Sequence, residues 1–109
     1  MKTWVIKIGG AVLNTADAAK ALFDVLASQE HANFVIVHGG GALVDAWLKE
    51  AGFVTAKHQG FRISPNEQMP YIVGALAGCA NKQLMSQAIG AGHKPVGLSL
   101  YEAGVVVSE

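Results

Sequence analysis

Two near-continuous apolar runs, each stopped by a glycine cluster, predict an α/β sandwich built on a mainly parallel sheet. Thr3–Ile8 (TWVIKI) ends at Gly9-Gly10, and Asn33–His38 (NFVIVH) ends at Gly39-Gly40-Gly41. Runs of this kind are the pattern of strands buried on both faces, which parallel sheets require. The segments that follow them carry apolar residues at helical spacing, so the order reads β-α-β-α-hairpin-α-β.

The elements follow in chain order. After the first strand, Asn14 with Asp17 three residues on has the form of a capping box. Ala18, Leu22, Val25 and Leu26 then lie on one helical face. The second strand leads through its three glycines into a helix whose Leu43, Val44, Trp47 and Leu48 point inward, closed by Gly52. Val54–Ile63 reads as a hairpin or extended loop turning at Gln59-Gly60. Ser64, Pro65 and Glu67 supply the cap, first-turn proline and third-position glutamate of a helix that should run to about Ala91. Pro70 falls inside it and predicts a kink or a short opening turn. Lys94–Leu100 is expected to be a third core strand, and Val105–Ser108 the beginning of a fourth.

Composition narrows the function classes. At 109 residues the chain forms one domain at most, with 51% apolar and only 15% charged residues. That charge content is below the ordinary share of about 25%, so apolar surface must be buried in a core or against a partner. Zero net charge argues against a nucleic-acid footprint or a basic membrane patch. The single cysteine, Cys79, excludes an internal disulfide and reads as a small buried hydrophobe; the histidines have no metal-ligand spacing. No secretory signal precedes the first strand, and the charge-free run Gln68 to Asn81 is shorter than the ~20 residues of a spanning helix. The expectation is a cytoplasmic protein.

Glycine is the informative excess, with 13 residues gathered mainly into clusters. A strand ending in glycine ahead of a helix offers unpaired backbone N–H groups, and an anion can approach them with no Cβ in the way. Two such ends on neighbouring strands share the crevice at the strands' carboxyl ends, where open α/β folds bind ligands. The competing reading is a pair of tight turns. No G-x-x-x-x-G-K-[ST] is present, and a dinucleotide fingerprint on Gly39 and Gly41 would need a small residue where Val44 stands. What remains is a lysine-bearing strand end, K-x-G-G, with Lys7, and an H-G-G-G beginning at His38.

These motifs, in the segments VIKIGGAVL, FVIVHGGGALVDAWL, GFRIS and GALAGCANKQL, resemble the amino-acid kinase family. Within it they resemble the branch that acts on N-acetyl-L-glutamate, through essentially the whole chain. K-x-G-G alone is shared with relatives that phosphorylate aspartate, glutamate, carbamate or UMP; the combination is more specific. The resemblance implies a two-lobed, three-layer α/β/α sandwich of which residues 1–109 are the amino-acid-binding front lobe, without the nucleotide-binding C-terminal lobe. It implies ATP with Mg2+ as co-substrate, no tightly bound cofactor, and phosphorylation of a side-chain carboxylate in arginine biosynthesis.

Carried onto this chain, the resemblance makes Lys7 the cation that reaches the transferring phosphoryl group, and Gly9 and Gly10 the backbone that meets the nucleotide phosphates. Gly40 and Gly41 would hold the acylated amino acid, and Arg62 would clamp its α-carboxylate. Plainer readings compete: Lys7 extending from a strand edge, Arg62 as a solvated hairpin residue, His38 satisfying local backbone. At the level of function the alternatives are another carboxylate kinase of the same fold, or a non-catalytic amino-acid-binding module. The glycines of GALAGCA leave a smooth strip, and with the resemblance they imply a homodimer through the helix from Tyr71 to Leu84.

Overall fold

A computed structural model of the chain describes residues 1–15, 17–53, 56–58, 61–63 and 66–99, the two short middle stretches as backbone. Strand β1 (Lys2–Ile8) is followed by a single helical turn, α1 (Gly10–Leu13), and helix α2 (Ala18–Ala27). Strand β2 (Ala32–His38) leads into α3 (Gly41–Glu50), then β3 (Ala56–His58) and β4 (Phe61–Ile63). A 3-10 turn (Asn66–Gln68) opens a composite helix of α4 (Met69–Val73), a π-helical segment (Gly74–Ala80) and α5 (Asn81–Gly90).

β1 and β2 pair in parallel, in a register from Lys2 opposite Ala32 to Ile8 opposite His38. The crossover between them contains α1 and α2, as parallel pairing demands. β3 and β4 form the expected hairpin, antiparallel, with Lys57 opposite Arg62. Its turn centre at Gln59-Gly60 lies outside the described residues, as do Ser64-Pro65 and the anticipated fourth strand at Val105–Ser108.

One face of the sheet is covered. Ile6, Phe34 and Ile36 pack with Ala19, Phe23 and Leu26 of α2 and with Leu84 and Ala88 of α5. His93 seals the far end of this core: its Nε2 donates to the Phe23 carbonyl at 2.9 Å, and its ring meets Phe23 and Phe34 edge-on. The opposite face carries Val5, Val35 and Val37, all exposed, with Val5 at 70%. A second core joins α3 to the composite helix, through Val44, Leu48 and Ala75 with Trp47, Phe53, Ile72 and Leu76 around them.

Both longer crossings end as their glycines suggest. Gly52 (φ +88°) follows α3, with Phe53 N–H on the Leu48 carbonyl at 2.9 Å and Gly52 N–H on that of Lys49 at 3.1 Å. Gly92 (φ +95°) repeats the arrangement after α5, with His93 N–H on Ala88 and Gly92 N–H on Ile89. These are paired Schellman closures, in which a left-handed residue lets the last carbonyls be satisfied.

Three expectations are corrected. Asn14 caps nothing at an N-terminus: it closes α1, its N–H directed to the carbonyls of Gly10 and Val12, and α2 starts only after Asp17, which makes no side-chain cap. The predicted single helix to Ala91 changes its hydrogen-bonding repeat twice; the short opening turn expected at Pro70 is present, Asn66–Gln68 leading into α4 with Pro70 in its first turn, where a missing N–H costs nothing. Residues 93–99 form no strand. Their exposure alternates residue by residue, but β2 is the only described partner of β1 and no ladder reaches them.

Candidate functional site

The register of β1 and β2 brings their carboxyl ends level, so Gly9 follows Ile8 beside the point where Gly39 follows His38. Both expected glycine clusters therefore stand at one end of the sheet, as the sequence predicted. Gly9 precedes α1, its carbonyl accepting from Val12 and Leu13 N–H at 3.2 Å, and Gly10 is the first helical residue. Lys7 is exposed, opposite Val37, on the face of the sheet that no described helix covers.

The second cluster is more constrained. Gly40 has φ +155°, a conformation L side chains rarely adopt. A Cβ at Gly40 would lie 2.9 Å from Leu76 Cδ2 and 3.5 Å from the Ala80 Cβ. The turn thus lies directly on the π-helical segment, against the side chains of Leu76 and Ala80. Gly41 begins α3, and the Gly40 carbonyl accepts from Val44 N–H at 3.0 Å.

Around this turn is a polar group of which sequence reasoning gave a role only to His38, that of satisfying local backbone. His38 Nδ1 lies 2.8 Å from the Gly39 carbonyl, so its first duty is to local backbone. Its Nε2 lies 3.1 Å from Asn81 Nδ2, and Lys82 Nζ donates to Asn81 Oδ1 at 3.0 Å. Asn81 and Lys82 stand in the A-N-K run at the junction of the π segment and α5, which was the available signal. Arg62 occupies the middle of β4, on a hairpin whose backbone alone is described.

A cleft of about 500 Å³ opens beside Gly40, between residues 12–15 and the α5 residues Gln83 and Gln87. Among the described residues no cluster of three or more His, Cys, Asp or Glu is placed to hold a metal ion. No described helix is long and apolar enough to cross a membrane.

The glycine strip proposed for association divides. Gly74 is covered within the chain, a Cβ there meeting the Trp47 ring at 3.0 Å, while Gly78 faces open space.

Comparison with known proteins adds independent findings. An acetylglutamate kinase of Aeromonas salmonicida is 48% identical over 107 residues, covering 95% of this chain and 41% of the relative. One from Colwellia psychrerythraea is 43% identical over 106 residues, covering 97% of this chain and 41% of the relative. The chain therefore spans about two fifths of the length of these curated relatives. Among solved structures, smu.665 from Streptococcus mutans UA159 matches with a TM-score of 0.64 and 27% identity, over 84% of this chain and 37% of that one. The model of the amino acid kinase family matches residues 2–106, a span that includes both glycine turns, Lys7 and the hairpin; the chain belongs to that family.

Proposed function

We propose that this chain is the amino-acid-binding part of an ATP-dependent kinase that phosphorylates the side-chain carboxylate of N-acetyl-L-glutamate, in arginine biosynthesis in the cytoplasm. The observation that carries the reading is the convergence of K-x-G-G and H-G-G-G at one sheet end, in a chain whose similar curated proteins are acetylglutamate kinases. A carboxylate oxygen of the substrate attacks the γ-phosphorus of ATP; the bond to the bridging oxygen breaks, and ADP leaves with N-acetyl-L-glutamyl 5-phosphate. No proton need be taken from the attacking carboxylate, so the protein's task is positioning and neutralising charge.

Each residue has a task under this reading. Lys7 faces the developing charge on the transferring phosphoryl group, and Gly9 and Gly10 offer backbone to the nucleotide phosphates. Gly40 and Gly41 shape the surface that receives the acylated amino acid, and Arg62 pairs with its α-carboxylate. The Mg2+ that accompanies ATP finds no protein ligand set among the described residues. Under this reading the nucleotide-binding lobe lies outside these 109 residues, which cover 41% of the Aeromonas salmonicida relative.

Association through the composite helix belongs to the same proposal. Met69, Tyr71 and Val73 are exposed along α4, and Gly78 leaves the adjoining surface smooth. A homodimer joined through Tyr71 to Leu84 would cover them.

The test is ADP release from ATP and N-acetyl-L-glutamate by the gene product that carries these residues. Lys7→Ala should lower turnover by about a hundredfold, the size of a lost preorganised donor, with substrate affinity little changed. Near-normal turnover in that variant would sink the assignment of Lys7, and no ADP from the wild type would sink the reaction.

A further inference from the structure

The Gly39–Gly41 turn takes at Gly40 a backbone conformation that glycine adopts freely and other residues rarely do, so its shape depends on the groups packed beside it. The polar group beside it has only one consistent arrangement of protons. The Gly39 carbonyl can only accept, so His38 Nδ1 carries the hydrogen across the 2.8 Å separation. In that tautomer His38 Nε2 is an acceptor, and Asn81 must turn its amide nitrogen toward it, 3.1 Å away. Asn81 Oδ1 is thereby left for the Lys82 ammonium, which can only donate and lies 3.0 Å off. The chain of donation runs one way: Lys82 to Asn81, Asn81 to His38, His38 to Gly39.

The surroundings keep Asn81 in this pose. The backbone of Gly97 passes so close that a Cβ there would collide with Asn81 Oδ1 and lie 2.5 Å from Met85 Sδ. Lys82 Nζ also reaches the Gly97 carbonyl, at 3.5 Å. The amide is thus pinned between α5, the end of β2 and the segment that follows α5.

We propose that Asn81 is a positioning residue: it sets the tautomer of His38 and, through His38, fixes the Gly39–Gly41 turn in the shape that receives substrate. The second half rests on the reading that Gly40 and Gly41 hold the acylated amino acid. Neither Asn81 nor His38 needs to touch the substrate. Asn81 acts as an oriented dipole linking a cation to a glycine carbonyl, and reversing that dipole reverses the imidazole.

Asn81→Asp separates orientation from shape, because the carboxylate keeps the size of the amide but can only accept. Long-range 1H–15N NMR of His38, recorded at about pH 8, above the ordinary imidazole range, should show the proton on Nδ1 in the wild type. It should show protonated Nε2 in Asn81→Asp, with amide exchange at Gly40 and Gly41 faster by about tenfold, the worth of one hydrogen bond. Gly97→Ala, which displaces Asn81 without altering it, should leave the proton on Nδ1, held there by the Gly39 carbonyl, and speed the same amide exchange. Calorimetry with N-acetyl-L-glutamate should show affinity about tenfold weaker in Asn81→Asp, with ATP affinity unchanged. A wild-type His38 protonated on Nε2 would overturn the relay, as would an Nε2 left unprotonated in Asn81→Asp. If the tautomer changes but acetylglutamate affinity does not, the positioning role is overturned. A wild type that binds no acetylglutamate overturns the substrate reading alone, and the NMR measurement still decides the relay.

Discussion

Gly40 shows how much one residue can be asked to do. Its φ of +155° and the nearness of Leu76 act on any replacement together. The Leu76 methyl is the end of a side chain and can give way, so backbone strain dominates, on the order of 1–3 kcal/mol. Gly40→Ala should lower the denaturant midpoint accordingly, while Gly39→Ala, with open space around it, should leave the midpoint nearly unchanged. Arg62 is a different case, a residue judged by its chemistry toward a ligand. Arg62→Lys keeps the charge and loses the planar fork, so acetylglutamate affinity should fall by about tenfold with ATP affinity retained; unchanged affinity by calorimetry would return Arg62 to the hairpin surface. Gly40 was legible in the sequence because a glycine cluster that halts an apolar run marks a backbone turn by itself. Asn81 was not, since its partner His38 is 43 positions away and the A-N-K run that holds it says nothing of what the amide bonds to.

The elements divide along the same line. β1, β2, α2 and α3 could be read from the chain because each states its burial in its own spacing of apolar residues. The helix closures at Gly52 and Gly92 follow from chemistry confined to a few consecutive residues. The segment at 93–99 could not be settled that way, because its apolar residues specify an extended chain and a strand exists only with a partner alongside. The π-helical segment was hidden for a related reason: the apolar spacing of GALAGCA suits either hydrogen-bonding repeat, and contact with Gly40 and Trp47 distinguishes the surroundings. Those contacts make two glycines of one segment unequal. Gly78→Ala adds helix propensity into open space and should stabilise the chain by about 0.5–1 kcal/mol. Gly74→Ala gains the same propensity but presses on the Trp47 ring at 3.0 Å. Thermal denaturation should rank Gly78→Ala above both Gly74→Ala and wild type.

At the scale of the molecule, the described residues leave apolar surface outside the cores in places that differ in kind, two of which bear on association. The bare sheet face of Val5, Val35 and Val37 belongs to a parallel pair, a class of sheet ordinarily covered on both sides. The other surface runs along α4, with Met69, Tyr71 and Val73 beside the open Gly78. If the composite helix makes the dimer, sedimentation at micromolar concentration should show two copies. Gly78→Leu should shift the equilibrium toward monomer, and Val35→Lys on the sheet face should leave it intact. A wild type that sediments as a monomer would end the dimer proposal.

The level ending of β1 and β2 also governs which changes of chain length the protein can tolerate. Lys7 stands two residues before Gly9, and alternation along a strand ties its face to that count. Deleting Ile8 would keep every residue proposed for the site and yet turn Lys7 to the helix-covered side, a shift of reading frame carried out in three dimensions. Deleting Gln29, in the exposed link between α2 and β2, alters a connection whose length no face depends on. Length variation among such proteins should therefore gather in the crossovers and avoid the last residues of the two strands.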